Sequence, residues 1–312
     1  MLDALSKSFF HALAGSSTLK SIASSYGMRT RRSFARRFIA GETLEEAIAA
    51  ARELSARGLG LTLDQLGESV TSLDEASAAT AGYVAIVDAL VRAGVERNIS
   101  LKLTQLGLAL DKAHTVDNLR RILEAAQTHD FFVRVDMEDS PFTEVTLEVF
   151  ETVWNLGFRN CGVVLQSALR RSEADLSRVN GLGARVRLVK GAYKEPREVA
   201  YQLKQEVDAA FERMTRTLLL DGTYPAIATH DVRMLDLTKR VAAEHGVGKD
   251  RFEFQMLYGI RRDLQAALIA EGYRVRVYVP FGREWFPYFM RRLGERPANV
   301  GFVVRGLLSD KG

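Results

Sequence analysis

Eight short runs of aliphatic and β-branched residues recur along the chain, each followed by a stretch that reads as helix. The runs are Leu59–Leu63, Ile99–Leu103, Phe131–Asp136, Gly162–Gln166, Val186–Lys190, Ala226–Thr229, Phe252–Met256 and Val275–Val279. Between them, Val116 to Ala126, Glu144 to Leu156, Glu198 to Leu220 and Met234 to Glu244 carry apolar residues at three- and four-residue steps. That spacing predicts helices with one buried stripe. Strand–helix alternation calls for parallel strands joined by right-handed crossovers.

Eight such units in about 250 residues is the size of a closed (β/α)8 barrel of the TIM type, an α/β fold. The competing architecture is a doubly wound open sheet, which would carry a G-x-G-x-x-G turn between a strand and a helix. Gly58-Leu59-Gly60 and Gly181-Leu182-Gly183 offer only its first half, and neither opens a helix straight after a strand. The expected organisation is one domain over residues 1–312, with N-terminal helices over 1–57, the barrel over 58–305, and a final helix from Arg283 to Glu295.

Composition narrows the class. Of 312 residues, 47% are apolar and 26% charged, the balance of an ordinary globular enzyme. No continuous apolar run approaches the ~20 residues of a membrane span. The net charge of +4 is too mild to argue for nucleic acid. The single cysteine, Cys161, forms no internal disulfide and reads as a buried, unreactive thiol in a strand. His11, His114, His129, His230 and His245 have no partners at metal-ligand spacing, so no metal site is expected. The first forty residues hold seven basic side chains and one acid, Asp3, a composition shared by transit peptides and amphipathic helices. The unbroken lead from Ser33–Ile39 into a helix near Thr43 favours helices of the folded domain.

A barrel of this kind carries its site at the C-terminal ends of its strands. Those ends are Asp64, Lys102, Asp136, Gln166, Lys190, Thr229 with His230 and Asp231, Gln255, and Tyr278, a dense polar ring. In the fifth strand, alternation turns Arg187 inward together with Val189. A buried arginine needs an anionic or strongly accepting partner. Gly191 and Ala192 would admit the close approach of a flat ligand, and Lys190 and Tyr193 flank them. On the final helix, Tyr288, Arg291, Arg292 and Glu295 share one stripe. Guanidinium forks there would grip a carboxylate in bidentate fashion.

These segments also carry a resemblance. Ser100–Gly107, Val133–Glu138, Val164–Gln166, Arg187–Tyr193, Ala228–Asp231, Phe252–Gly259, Arg276–Gly282 and Tyr288–Arg296 resemble, in order, the monofunctional bacterial proline dehydrogenases. Leu66-Gly67-Glu68 and Arg36 to Glu42 do so too, so the likeness covers nearly the whole chain. It implies a distorted barrel whose mouth is capped by the last helix and holds FAD without a covalent bond. By position, Arg187 would lie near the flavin N5 and Gln166 against the isoalloxazine. Lys190, Gly191, Thr229, His230 and Glu295 would serve the ribityl, pyrophosphate and adenosine parts, with Met137, Val189, Ala192, Tyr193, Asp136 and Gln255 completing the cofactor contacts. Arg291 and Arg292 would clamp the proline carboxylate, Tyr193, Tyr278 and Tyr288 would wall in its ring, and Lys102 and Asp136 would pair at the floor. Lys194 departs from the aromatic residue that some members carry, which removes a stacking contact there.

The resemblance implies oxidation of L-proline to Δ1-pyrroline-5-carboxylate, the first step of proline catabolism, with electrons passed to a quinone. Arg187, Lys102 and Asp136 would be the catalytic set. Such an enzyme is expected in the cytoplasm, and the basic N-terminus suits a peripheral contact with the inner face of the membrane. Two rivals make different demands. A Schiff-base aldolase would use Lys102 or Lys190 as its imine-forming amine. A nucleic-acid-binding protein would need interleaved aromatic and basic residues, which this sequence lacks.

Overall fold

The computed structural model describes residues 34–295, with side chains described for 35–292. Eight parallel strands close into a barrel in sequence order: β1 (Gly60–Gln65), β2 (Asn98–Leu101), β3 (Phe132–Val135), β4 (Cys161–Gln166), β5 (Arg185–Val189), β6 (Ala226–Ala228), β7 (Glu253–Leu257) and β8 (Val275–Phe281). All eight predicted runs are strands, within two residues at most ends. The connecting helices are α2 (Leu73–Ala93), α3 (Lys112–Gln127), α4 (Ser140–Asn155), α5 (Ser172–Gly181), α6 (Lys204–Asp221), α7 (Val232–Glu244) and α8 (Arg262–Ala270). Before β1 comes α1 (Leu44–Ser55), and after β8 comes α9 (Trp285–Glu295).

One helix start differs from its expectation. The pattern from Glu198 predicts helix there, but α6 begins at Lys204. Residues 195–203 instead run back over the barrel rim, where Ala200 bridges Leu169 and Tyr201 N–H donates to Ala168 O. The expected helices before residue 34, and the basic segment they carry, lie outside the described residues. Helix α2 is, by length and composition, apolar enough to cross a membrane, although no continuous apolar run announced it. Its buried residues Ala76, Thr80, Tyr83, Ile86, Val87 and Leu90 fall at helical steps on one stripe, and α2 packs against α3. That is the pattern of a helix laid on a protein core.

Strand alternation sorts side chains into two environments. Outward, Leu61, Leu63, Ile99, Leu101, Val133, Val135, Val163, Val186, Leu188, Ile227, Phe254, Val277 and Val279 are almost fully buried against the helices. At roughly 1.5–3 kcal/mol for each large apolar side chain, this layer is the main stabilising term of the fold. Inward, the lumen is polar. Thr62 bonds Ser100 at 3.0 Å, and Arg187 reaches across to residues of β2 and β7 and to Asp136 beyond β3. TIM barrels usually fill this space with branched aliphatic residues.

The eighth helical position also departs from the simple repeat. Helix α1 packs against β1 and β8 and buries Ala47, Ala51 and Leu54 in the main core. Helix α9 belongs to a second cluster, in which Trp285, Phe286, Tyr288, Phe289 and Met290 pack with Ala35, Phe38, Ile39 and Leu66. Leu66 follows the C-terminal end of β1, so α9 is anchored at the mouth. The main cluster covers the outer barrel wall, and α9 covers part of the opening.

Candidate active site

The mouth is organised around Arg187. Its Nε donates to Gln255 Oε1 at 2.5 Å, one terminal nitrogen to Asp136 Oδ1 at 2.6 Å, and the other to Ser100 Oγ at 3.0 Å. Ala226 on β6 sits beside Arg187 in register and Ala228 beside Gln255. These small side chains let the guanidinium pass over β6 to β7. Asp136 uses its second oxygen to accept from the Tyr278 hydroxyl at 2.8 Å, and the Arg187 guanidinium lies 5.4 Å from the Tyr278 ring centre. Burial, then the neighbouring Asp136 and Asp64 carboxylates, hold the Tyr278 phenol well above its ordinary range, so it stays a neutral donor.

Lys102 pairs first with a different acid from the one expected. Its ammonium lies 3.2 Å from Asp64 and 4.0 Å from Asp136, because Asp136 is already engaged by Arg187 and Tyr278. Burial works against the ammonium, but Asp64 and Asp136 outweigh it and raise its pKa above the usual lysine value. A lysine that forms imines must shed its proton near neutrality, so this environment opposes the aldolase alternative. Lys190 does not supply such an amine either, since it bridges Asp208 at 2.6 Å and Asp231 at 2.7 Å.

The rim residues fall into place along the loops that follow β4 to β7. Gln166 is buried and donates to Glu138 O at 2.6 Å. Gly191 has φ +113°, and a Cβ there would lie 3.1 Å from Gln166 Oε1 and 3.2 Å from the Ala168 methyl. The backbone angle favours glycine, and a Cβ there would press on both neighbours. Thr229 Oγ1 accepts from Asp231 N–H at 3.1 Å, and His230 Nε2 accepts from Leu257 N–H at 3.0 Å. A neutral His230 ring with that acceptor carries its proton on Nδ1. Val189, Ala192 and Tyr193 are half-buried near the same rim, and Lys194 is exposed. Met137 is packed into the main core.

The two arginines of α9 are engaged separately. Arg291 grips both oxygens of Glu68 at 2.8 and 3.3 Å, while the buried Arg292 lies 5.0 Å from the Tyr288 ring centre. Tyr193 experiences the charges of Arg291, Lys102 and Glu68, and burial above all raises its phenol. These groups thus share one mouth. The Glu295 side chain lies outside the described ones.

Reading strand ends alone missed Ser100, Glu253, Arg276 and Glu68, as well as the pairing of Asp64 with Lys102. Ser100, Glu253 and Arg276 each lie two residues before a polar strand-end residue, so the period of two could have found them. A cavity of about 360 Å³ lined by Trp154, Arg159, Cys161, Leu182, Gly183, Arg185 and Thr223 is elsewhere. It lies toward the opposite, N-terminal end of β4 and β5. Cys161 is buried there, and burial pushes its thiol up to about 12, as befits an unreactive cysteine.

The family profile described as proline dehydrogenase matches residues 47–305. The chain belongs to the proline dehydrogenase family. Proline dehydrogenase 2 of Bacillus subtilis (strain 168) is 40% identical over 303 residues, covering 97% of this chain and 99% of the relative. Proline dehydrogenase of Deinococcus radiodurans is 45% identical over 278 residues, covering 88% and 90% respectively. Among solved structures, proline utilization A from Bdellovibrio bacteriovorus, inactivated by N-propargylglycine, superposes with a TM-score of 0.80 at 29% identity. That likeness covers 89% of this chain and 34% of the longer one, so the chain spans about a third of that larger protein. Family membership makes the chain a proline-oxidising enzyme of proline catabolism, and it displaces the aldolase and nucleic-acid alternatives.

Proposed function

We propose that the barrel mouth binds L-proline beside a non-covalently held FAD and yields Δ1-pyrroline-5-carboxylate, with a quinone as final electron acceptor. The observation that carries this reading is Arg187, a cation fixed by three partners at the centre of the mouth. When bound, FAD supplies an acceptor for the C5 hydride, which no amino-acid side chain can provide. The donor set fits such a group: Arg187 would hold its reacting edge, Gln166 and the Gly191 backbone its flat ring, and Lys190, Thr229 and His230 its phosphates and ribose. A Cβ at Gly191 would narrow the room for that ring. Asp136, Val189, Ala192, Tyr193 and Gln255 line the same region in this reading, and Glu295 closes the adenosine end. Met137, packed into the main core next to Asp136 in sequence, would contact the cofactor from that side.

The chain's own residues orient and exclude. Arg291 and Arg292 hold the substrate carboxylate, and Tyr193, Tyr278 and Tyr288 border the ring. Such fixing replaces a bimolecular encounter by a preset geometry. Proline must also lose a proton from nitrogen. Lys102 is held charged and does not accept it, and Asp136 is engaged by Arg187 and Tyr278; in this reading water would take the proton. Lys102 and Asp136 instead fix the electrostatics of the floor, and Arg187 stabilises negative charge that develops at the acceptor.

The purified protein is expected to be yellow, to release flavin on acid precipitation, and to bleach anaerobically with L-proline. A soluble quinone analogue should restore the colour. A colourless protein that takes up no flavin on reconstitution refutes the reading. Cytoplasmic location, with the basic first forty residues touching an anionic membrane surface, belongs to the same proposal. Flotation with anionic against neutral vesicles tests that contact.

A further inference from the structure

Below Arg187 the lumen continues as one chain of hydrogen bonds. Gln255 accepts from Arg187 with Oε1 and donates from Nε2 to Glu253 Oε1 at 2.5 Å. Glu253 accepts twice from Arg276 Nε, at 2.8 and 3.1 Å, and Arg276 donates onward to Glu96 at 2.5 Å and to Leu61 O at 2.8 Å. Glu253 is 4% exposed, and the Tyr224 hydroxyl also donates to its Oε2 at 3.4 Å.

We propose that Glu253 is a positioning residue for Arg187, acting through the Gln255 side-chain amide. A guanidinium only donates, so Arg187 Nε requires the oxygen end of the amide. The nitrogen end then points down the lumen and needs an acceptor. The Glu253 carboxylate is that acceptor, and Arg276 with Glu96 fixes it from below. Glu253 therefore selects one of the two amide orientations, and that orientation supplies one of the three bonds holding the guanidinium plane. A neutral side chain at 253 that can also donate lets the amide turn over. Two N–H groups then face each other, and Arg187 pivots on Asp136 and Ser100 alone. This inference rests on the reading that Arg187 stands beside the reacting edge of the flavin.

The sign of one measurement separates positioning from a plain field effect. Removing a negative charge beneath the site would, by field alone, favour the reduced, more negative flavin and raise its reduction potential. Loss of the Arg187 anchor lowers it. The two-electron potential of the purified holoenzyme is measured by dye-equilibrated titration in wild type, Glu253→Gln, Glu253→Asp and Arg187→Leu. Glu253→Gln and Glu253→Asp are each expected to weaken the reduction equilibrium about tenfold, a fall of about 30 mV. Glu253→Asp keeps the charge and shortens the arm, so it alone decides if Glu253→Gln does not fold. In a Gln255→Leu background, Glu253→Asp should add no further shift. A raised or unchanged potential, or an additive shift in that background, overturns the proposal. If Arg187→Leu lowers the potential while Glu253→Asp leaves it unchanged, only the relay fails. If Arg187→Leu also changes nothing, the placement of Arg187 beside the flavin fails with it.

Discussion

The grip of Arg291 on Glu68 sets opposite expectations for two substitutions. In the free protein the Arg291 guanidinium already holds a carboxylate, at 2.8 and 3.3 Å, with side chains 13% and 30% exposed. Substrate must therefore exchange one carboxylate for another, and its gain is smaller than the full worth of a new ion pair. A hydrogen bond to a charged group contributes roughly 1.5–3 kcal/mol, and a bidentate grip has two. Two such bonds give about 3–6 kcal/mol, and giving up the part-exposed, longer Glu68 pair costs about 1–3 kcal/mol, which leaves about 2–3 kcal/mol. At about 1.4 kcal/mol per decade, Arg291→Met should raise the KM for L-proline roughly thirty- to a hundredfold. The turnover number should change much less, and the flavin content should be unchanged. Glu68→Ala removes the competitor, so its KM should fall or stay level. Steady-state kinetics with a dye acceptor, with flavin content read by absorbance, test both. A near-normal KM in Arg291→Met refutes the carboxylate grip. A KM raised as much in Glu68→Ala as in Arg291→Met refutes competition and makes Glu68 a support for Arg291.

Further outcomes follow from other contacts. If Tyr278, bonded to Asp136 at 2.8 Å, borders the proline ring as proposed, it leaves no room for a 4-hydroxyl, so L-proline should be preferred over trans-4-hydroxy-L-proline; Tyr278→Ser should narrow the ratio of the two kcat/KM values, and an unchanged ratio would mean that the phenol does not border the ring. Burial opposes the charge of Asp208, but Lys190 and Lys204 outweigh it and keep the carboxyl below the ordinary carboxylate range. A depressed folded value contributes stability above the unfolded value near ~4 and loses it as pH falls through the folded value, so Asp208→Asn should lower Tm at pH 7 and flatten the decline below about pH 4. Gly259 has φ +72°, and a Cβ there would fall 1.6 Å from Arg37 O. Gly259→Ala should therefore lower Tm by more than its backbone strain of roughly 1 kcal/mol implies, with hydrogen exchange rising over residues 34–40; unchanged exchange there would refute the cause.

The barrel was legible because its signal is local. Eight β-rich runs, each with a following helical stripe, need no knowledge of partners, and the outward face of each strand carries the pattern plainly. Arg187 was placed inward by the same period of two. What eluded the sequence was pairing across the lumen. Nothing in the order of residues says that Asp64, rather than Asp136, comes nearest Lys102, because the choice depends on Arg187 and Tyr278 having occupied Asp136 first. Arg291 and Arg292 read as members of one stripe of the final helix, but their separate partners were not legible. On a helix, adjacent residues diverge by about 100°, which sends one to Glu68 and the other over Tyr288. The start of α6 was set too early because the apolar steps from Glu198 mimic a helix where the chain bridges Leu169.

The polar lumen explains how the mouth acquires its precision. Taking a single charge out of water costs several kcal/mol, and the interior repays this only when every donor and acceptor is matched. Here Lys102, Arg187 and Arg276 each face a carboxylate from another strand or its loop, while Arg134 gives two bonds from one terminal nitrogen to the carbonyls of Val163 and Arg185 and leaves its Nε unmatched. Asp136 reaches from the end of β3 to Arg187 on β5 and Tyr278 on β8, while Asp64–Lys102 and Glu253–Arg276 tie neighbouring strands, so closing the sheet and aligning these groups go together. Arg187 can leave its position only by giving up bonds to Ser100, Asp136 and Gln255 together. An aliphatic lumen would have stabilised the barrel with less electrostatic cost, but it would have left the functional guanidinium on a single strand end. The charged interior thus gives the mouth a geometry fixed by the whole sheet, which is what the role proposed for Arg187 requires.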